Sequence, residues 1–105
     1  MQNMNKQQIK NILDSHTIIL FMKGTKEAPK CGFSMQAAET LKKITEDFIT
    51  IDILDDQELR QDLKQYSSWP TYPQLYIEGE LIGGSDIIKQ LYQEGVLKKL
   101  ISEIN

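Results

Sequence analysis

Three consecutive stretches constrain the fold more than anything else in the chain. Thr17 to Met22 is a near-continuous apolar run, the pattern of a central strand buried on both faces. From Phe33 to Ile44 the period turns helical. Phe33, Ala37, Leu41 and Ile44 share one face, and Lys42 and Lys43 fall in the last turn, where cations suit the helix dipole. Phe48 to Ile53 then alternates Ile49, Ile51 and Ile53 against Thr50 and Asp52, which predicts a second strand. Strand, helix, strand over so short a span is a βαβ unit, so the two strands run parallel with a right-handed crossover. In such sheets ligands gather at the carboxyl ends of the strands.

The flanks extend this unit on both sides. Residues 5–15 read as a short amphipathic helix, with Asn5 as N-cap and Ile9, Ile12 and Leu13 on the face that covers the sheet. His16, at the junction that follows, has no second ligand in view and reads as structural or solvent-exposed. Asp55 and Asp56 precede a helix over 57–66 carrying Leu59, Leu63 and Tyr66; capping explains the paired acids more cheaply than a metal or acid/base site. Gln74 to Ile82 reads as a hairpin turning at Glu78-Gly79. Two further helical segments follow, the first with Ile87, Ile88, Leu91 and Tyr92, the second over Val96 to Ile104 on the outside, separated by Gly95. The order is α-β-α-β-α-β-β-α-α, an α/β fold with a four-stranded mixed sheet and helices on both faces. With 105 residues and no repeat or linker, this is one domain with one modest core.

Charge narrows the range of partners. The net charge is −3 with basic residues scattered, which argues against nucleic acid. No apolar run approaches a membrane span, and the polar start Met1 to Lys6 lacks a signal-peptide core. A single cysteine with no disulfide partner fits a reducing compartment, a bacterial cytoplasm or an organelle matrix.

That cysteine, Cys31, lies in Pro29-Lys30-Cys31-Gly32-Phe33-Ser34, between the end of the apolar run and the start of the helical pattern. A thiol at a helix N-terminus sees unpaired N–H groups that favour thiolate, and Lys30 and Lys23 add positive charge. Gly32 allows close approach to the backbone. Ser34 stands where a Cys-x-x-Cys motif has its second thiol, so any exchange begun at Cys31 needs an outside thiol to finish it. A lone cysteine is commonly a small buried hydrophobe; the Lys, Gly and Ser flanks and the Pro29 turn argue for the functional reading.

Other residues bear on the same end of the sheet. Lys23, just past a strand end, is either a solvated rim charge or a ligand-binding cation, and its place upstream of the thiol loop favours the second. Arg60, off the Leu59–Leu63 stripe, is either solvated or a carboxylate clamp. On pattern alone Phe33 is core and Trp69 a packing anchor. Ser68 to Pro73 holds two prolines three apart, which rules out helix, and Tyr72-Pro73 is a candidate cis bond that would leave the Tyr72 main chain free to pair with an extended peptide. Gly83-Gly84-Ser85-Asp86 lacks the signature of a phosphate loop. It is either a plain turn or a helix N-terminus suited to a small carboxylate.

Taken together, Cys31-Gly32-Phe33-Ser34, Trp69-Pro70-Thr71-Tyr72-Pro73 and Gly83-Gly84-Ser85-Asp86 resemble a monothiol glutaredoxin of the Cys-Gly-Phe-Ser class, with the similarity running from Gln8 to Leu100. The resemblance implies a thioredoxin-like fold and glutathione bound along a groove between the three segments. Lys23 would contact glutathione, Arg60 would hold its glycine carboxylate, and Tyr72, before a cis Pro73, would pair with its cysteinyl backbone. Gly84, Ser85 and Asp86 would hold the γ-glutamyl end. Gly32, Phe33 and Thr71 would complete the groove, and Cys31 would be the reactive or metal-binding thiolate. Some members carry a second cysteine where this chain has Ser85, so an internal disulfide is excluded here.

Two functions of different class follow. A [2Fe–2S] cluster needs four ligands, usually thiolates, and one chain offers one. Two chains and two glutathione thiols offer four, which suits a homodimeric carrier handing clusters onward; the resemblance points to BolA-type proteins and iron–sulfur apoproteins as partners. The alternative is a glutathione-dependent oxidoreductase that removes glutathione from proteins through Cys31, an activity at which this class is generally weak. A thioredoxin-fold adaptor that binds no glutathione is the bland third reading.

Overall fold

The computed structural model describes residues 6–104. Its elements follow the predicted order: α1 (Lys6–Asp14), β1 (Ile18–Met22), α2 (Gly32–Lys42), β2 (Ile49–Asp52), α3 (Gln57–Ser67), β3 (Gln74–Ile77), β4 (Glu80–Gly83), α4 (Ser85–Gln93) and α5 (Val96–Ser102). The expected cap Asn5 lies outside the described residues. Among these, no helix is long and apolar enough to cross a membrane.

The strands form one mixed sheet in the order β2-β1-β3-β4. The βαβ reading holds: β1 and β2 are parallel, with Ile19 opposite Ile49 and Met22 opposite Asp52. β3 runs antiparallel to β1 on its other side, placing Gln74 opposite Phe21. All five residues of β1 are buried, as a central strand with helices on both faces requires. Alternate residues feed two cores. Ile18, Leu20 and Met22 pack with Ala37, Ala38 and Leu41 of α2, Ile88 of α4 and Leu97 of α5. Ile19 and Phe21 pack with Ile9 and Leu13 of α1, Leu59 and Leu63 of α3, Tyr72 and Tyr76. β2 is an edge strand and only half-buried along its length.

Local chemistry explains several boundaries. Asp56 caps α3, its carboxylate accepting the Leu59 N–H at 3.0 Å, so the paired acids act as capping predicts. The β3–β4 hairpin turns at Glu78 and Gly79, both at positive φ (51° and 80°), the geometry that matches the twist of the strands it joins.

Four expectations from periodicity are corrected. Phe33 is 63% exposed, and the buried face of α2 is Ser34, Ala37, Ala38, Thr40 and Leu41; Phe33 sits in the first turn, at the end of the helix that faces the cleft described below. α2 stops at Lys42, and Ile44 packs on the core from the loop beyond. Tyr66 is exposed, because the face of α3 that meets the sheet is set by Leu59 and Leu63. α5 is more than outer cover: its Leu97 is fully buried.

Candidate functional site

The thiol loop leaves the carboxyl end of β1 and is tied down before it reaches Cys31. Gly24 pairs with Pro29 across the loop, and the Lys30 N–H donates to the Lys23 carbonyl at 2.9 Å. Gly24 has φ +91°, and a Cβ there would stand 2.5 Å from the Ala28 carbonyl oxygen, so no larger residue fits this turn. The Asp52 carboxylate accepts the Gly24 N–H at 2.9 Å. The Lys26 ammonium donates to the Phe48 carbonyl at 2.6 Å and lies 4.4 Å from that residue's ring centroid. Asp52 and Lys26 thus hold the loop against β2, a role that nothing local in the sequence signals.

Cys31 is the N-cap residue of α2 and is partly exposed. Its pKa lies below the ordinary 9.0. The main-chain N–H of Ser34 is the largest cause; that of Phe33, the charge of Lys23 and the Ser34 hydroxyl add to it, and burial opposes them. No capping hydrogen bond closes onto the sulfur, so the main effect is the field of the N–H dipoles at the helix terminus. The lysine whose charge acts is Lys23; Lys30 is exposed. Ser34 is fully buried, and its Oγ accepts the Lys23 N–H at 3.0 Å. The position of a second thiol is therefore used to lock the end of β1 to the start of α2.

Cys31 opens onto a cleft of about 410 Å³. Ten of the eleven residues singled out in the sequence line it: Lys23, Cys31, Phe33, Arg60, Thr71, Tyr72, Pro73, Gly84, Ser85 and Asp86. Gly32 heads α2, exposed and outside the lining, with open space where a Cβ would be. The Tyr72–Pro73 bond is cis, and the Tyr72 main chain makes no backbone hydrogen bond to another described residue. The Tyr72 hydroxyl donates to the Arg60 carbonyl at 2.7 Å, joining this segment to α3. Burial raises the Tyr72 pKa, keeping that hydroxyl a donor.

Lys64, Trp69, Pro70 and Ile87 also line the cleft. Lys64 follows Arg60 by four residues and therefore shares its helix face, a signal available in the sequence but unused there. Its ammonium lies 6.0 Å from the Tyr72 ring centroid. Three cations, Lys23, Arg60 and Lys64, thus face the cleft, and the Arg60 Nε is buried without a hydrogen-bond partner. The N-terminus of α4, with Asp86 in its first turn, lines the same cleft. Gly84 packs closely there: a Cβ would lie 3.2 Å from the Trp69 Nε1 and 3.3 Å from the Pro73 carbonyl oxygen. Such a cleft suits an extended anionic ligand that places a thiol-reactive group beside Cys31. Among the described residues no group of three or more His, Cys, Asp or Glu side chains is placed to hold a metal ion.

Comparison with known proteins agrees with this geometry. The glutaredoxin family model matches residues 18–82. The chain is 50% identical over 103 residues to the probable monothiol glutaredoxin 2 of Rickettsia typhi, covering 98% of this chain and 93% of that one. It is 48% identical over 96 residues to glutaredoxin-3 of Homo sapiens, covering 91% of this chain and 29% of that longer protein. The solution structure of reduced poplar apo GrxS14 superposes with a TM-score of 0.80 at 46% identity, covering 93% and 90% of the two chains. With Cys31 its only cysteine, inside Cys-Gly-Phe-Ser, the chain belongs to the glutaredoxin family as a monothiol member with the thioredoxin-like fold.

Proposed function

We propose that this glutaredoxin binds glutathione in the Cys31 cleft and, as a homodimer, carries a [2Fe–2S] cluster as cargo for delivery to apoproteins. The observation that supports this most is the isolation of Cys31: a thiol biased toward thiolate at the mouth of a cationic cleft, with no second cysteine in the chain. A tetrathiolate cluster site then needs a second chain and two external thiols. Glutathione suits the cleft in charge. Arg60, with its unpartnered Nε, and Lys64 suit the glycine carboxylate. The Tyr72 main chain suits pairing with the cysteinyl residue in the manner of an added strand. At the far end the γ-glutamyl group is a zwitterion: the N-terminus of α4 suits its carboxylate and Asp86 its ammonium. Lys23 suits a carboxylate or the cysteinyl carbonyl nearer the thiol. Thr71, Pro73, Gly84 and Ser85 shape the groove, and Gly32 and Phe33 flank the sulfur. Ligands held partly by exchangeable glutathione favour transfer over storage, with BolA-type proteins and iron–sulfur apoproteins as partners in a cytoplasm or organelle matrix.

The same low-pKa thiol favours a second reading, deglutathionylation, in which Cys31 takes glutathione from a protein mixed disulfide and a second glutathione regenerates it. Anaerobic reconstitution with iron, sulfide and glutathione separates the two. A brown, glutathione-containing dimer that is lost without glutathione and in Cys31→Ser is the expected result. A colourless monomer that turns over a glutathionylated protein at robust rates would shift the assignment to exchange. No glutathione binding at all would leave an adaptor.

A further inference from the structure

Gln74 is completely buried and opens β3 directly after Pro73. From one nitrogen it donates to two carbonyls of the preceding segment, Trp69 at 3.1 Å and Thr71 at 3.2 Å. Its oxygen accepts the Tyr76 O–H at 3.1 Å. Tyr76, on the same sheet face two residues along, is itself fixed edge-on to Phe21, with centroids 5.4 Å apart. The other end of the segment is also held. The Trp69 N–H donates at 3.1 Å to the Ser67 Oγ, whose hydroxyl donates to the Leu63 carbonyl at 2.7 Å. Trp69 is therefore gripped at both its N–H and its C=O. Its indole reaches the opposite wall of the cleft, close over Gly84. Where this segment lies sets where the two walls meet.

We propose that Gln74 is a positioning residue for the glutathione cleft: anchored by Tyr76, its amide clamps the Trp69 and Thr71 carbonyls and so sets the spacing between that segment and the N-terminus of α4. This rests on the glutathione reading above. The residue type follows from the geometry, because a primary amide carries two N–H donors on its nitrogen and an acceptor oxygen on the same carbon. Methionine fills a similar volume and supplies no donor.

Trp69 is the only tryptophan, so its emission and its quenching by acrylamide report on the wall with no ligand present. In Gln74→Met we expect stronger quenching and, because the released wall must be re-ordered on binding, glutathione affinity weakened about tenfold by calorimetry. The pH midpoint of Cys31 alkylation stays as in the wild type. Tyr76→Phe keeps both amide bonds and frees only the anchor, so it moves quenching and affinity the same way by less. A role in stability alone would lower the melting temperature and leave Trp69 quenching and affinity untouched; that result in folded Gln74→Met overturns the proposal. If Gln74→Met does not fold, unchanged quenching and affinity in Tyr76→Phe overturn it instead. Failure of the glutathione reading shows separately, as no binding by the wild-type protein, and the ligand-free Trp69 quenching then still decides whether Gln74 sets the wall.

Discussion

Ser34 is fully buried at the position where a dithiol motif carries its second sulfur, and it does two things there. Its Oγ accepts the Lys23 N–H, and its hydroxyl and main-chain N–H both favour the Cys31 thiolate. Ser34→Ala keeps the main-chain N–H, the larger of the two influences, and removes the hydroxyl. The midpoint of Cys31 alkylation by iodoacetamide is therefore expected to rise only part of the way toward 9.0. The variant also leaves the Lys23 N–H unpaired, at a cost of about 1–3 kcal/mol in urea unfolding. A midpoint that does not move would show that the helix terminus and Lys23 alone set the thiol. Because the folded pKa is depressed, the stability linked to Cys31 ionisation is present above the unfolded pKa and is lost as pH falls through the folded value.

At the scale of elements, α3 carries Arg60 and Lys64 into the cleft and hangs on one cap, the Asp56 carboxylate on the Leu59 N–H. Asp56→Ala is expected to cost about 1 kcal/mol, a fall in melting temperature of roughly 4–8 °C for a domain of this size. Fraying of that first turn reaches Arg60, whose own N–H bonds the Asp56 carbonyl at 3.0 Å. Glutathione affinity should therefore weaken along with stability, as a calorimetric titration against the wild type would show. An unchanged affinity would mean that Arg60 is held by Tyr72 rather than by the cap.

Across the whole molecule, the core beneath the sheet encloses two phenols. Burial raises both: Tyr76 is pushed up to about 12, and Tyr72 is raised further. Their contribution to stability is complete below the ordinary value of 10 and is lost as pH rises through the folded values. Urea midpoints are expected to drop progressively from about pH 10 to 12, with a shallower drop in Tyr76→Phe. An equally steep drop in that variant would place the alkaline transition elsewhere.

What the sequence determined by itself is local. The strand–helix–strand order, the Asp56 cap, the Glu78-Gly79 turn and the position of Cys31 at a helix N-terminus depend on residues within a few positions of one another, and short-range sterics and hydrogen bonds decide them. Ten of the eleven residues picked for the site line one cleft because three motifs each lie at the end of a strand or the start of a helix, and the sheet brings those ends together. What only the tertiary structure decided depends on which helix face meets the sheet and how far each helix overhangs it. Phe33 fits an apolar stripe yet lies exposed beside the cleft, Leu97 is core within a segment that reads as outer cover, and the face that Arg60 and Lys64 share meets the cleft only once α3 is docked. Gln74 is the clearest case. In the chain it is a polar residue at the head of a strand, and only packing makes it the buried amide on which one wall of the cleft is hung, because its partners are fixed by burial that periodicity does not encode.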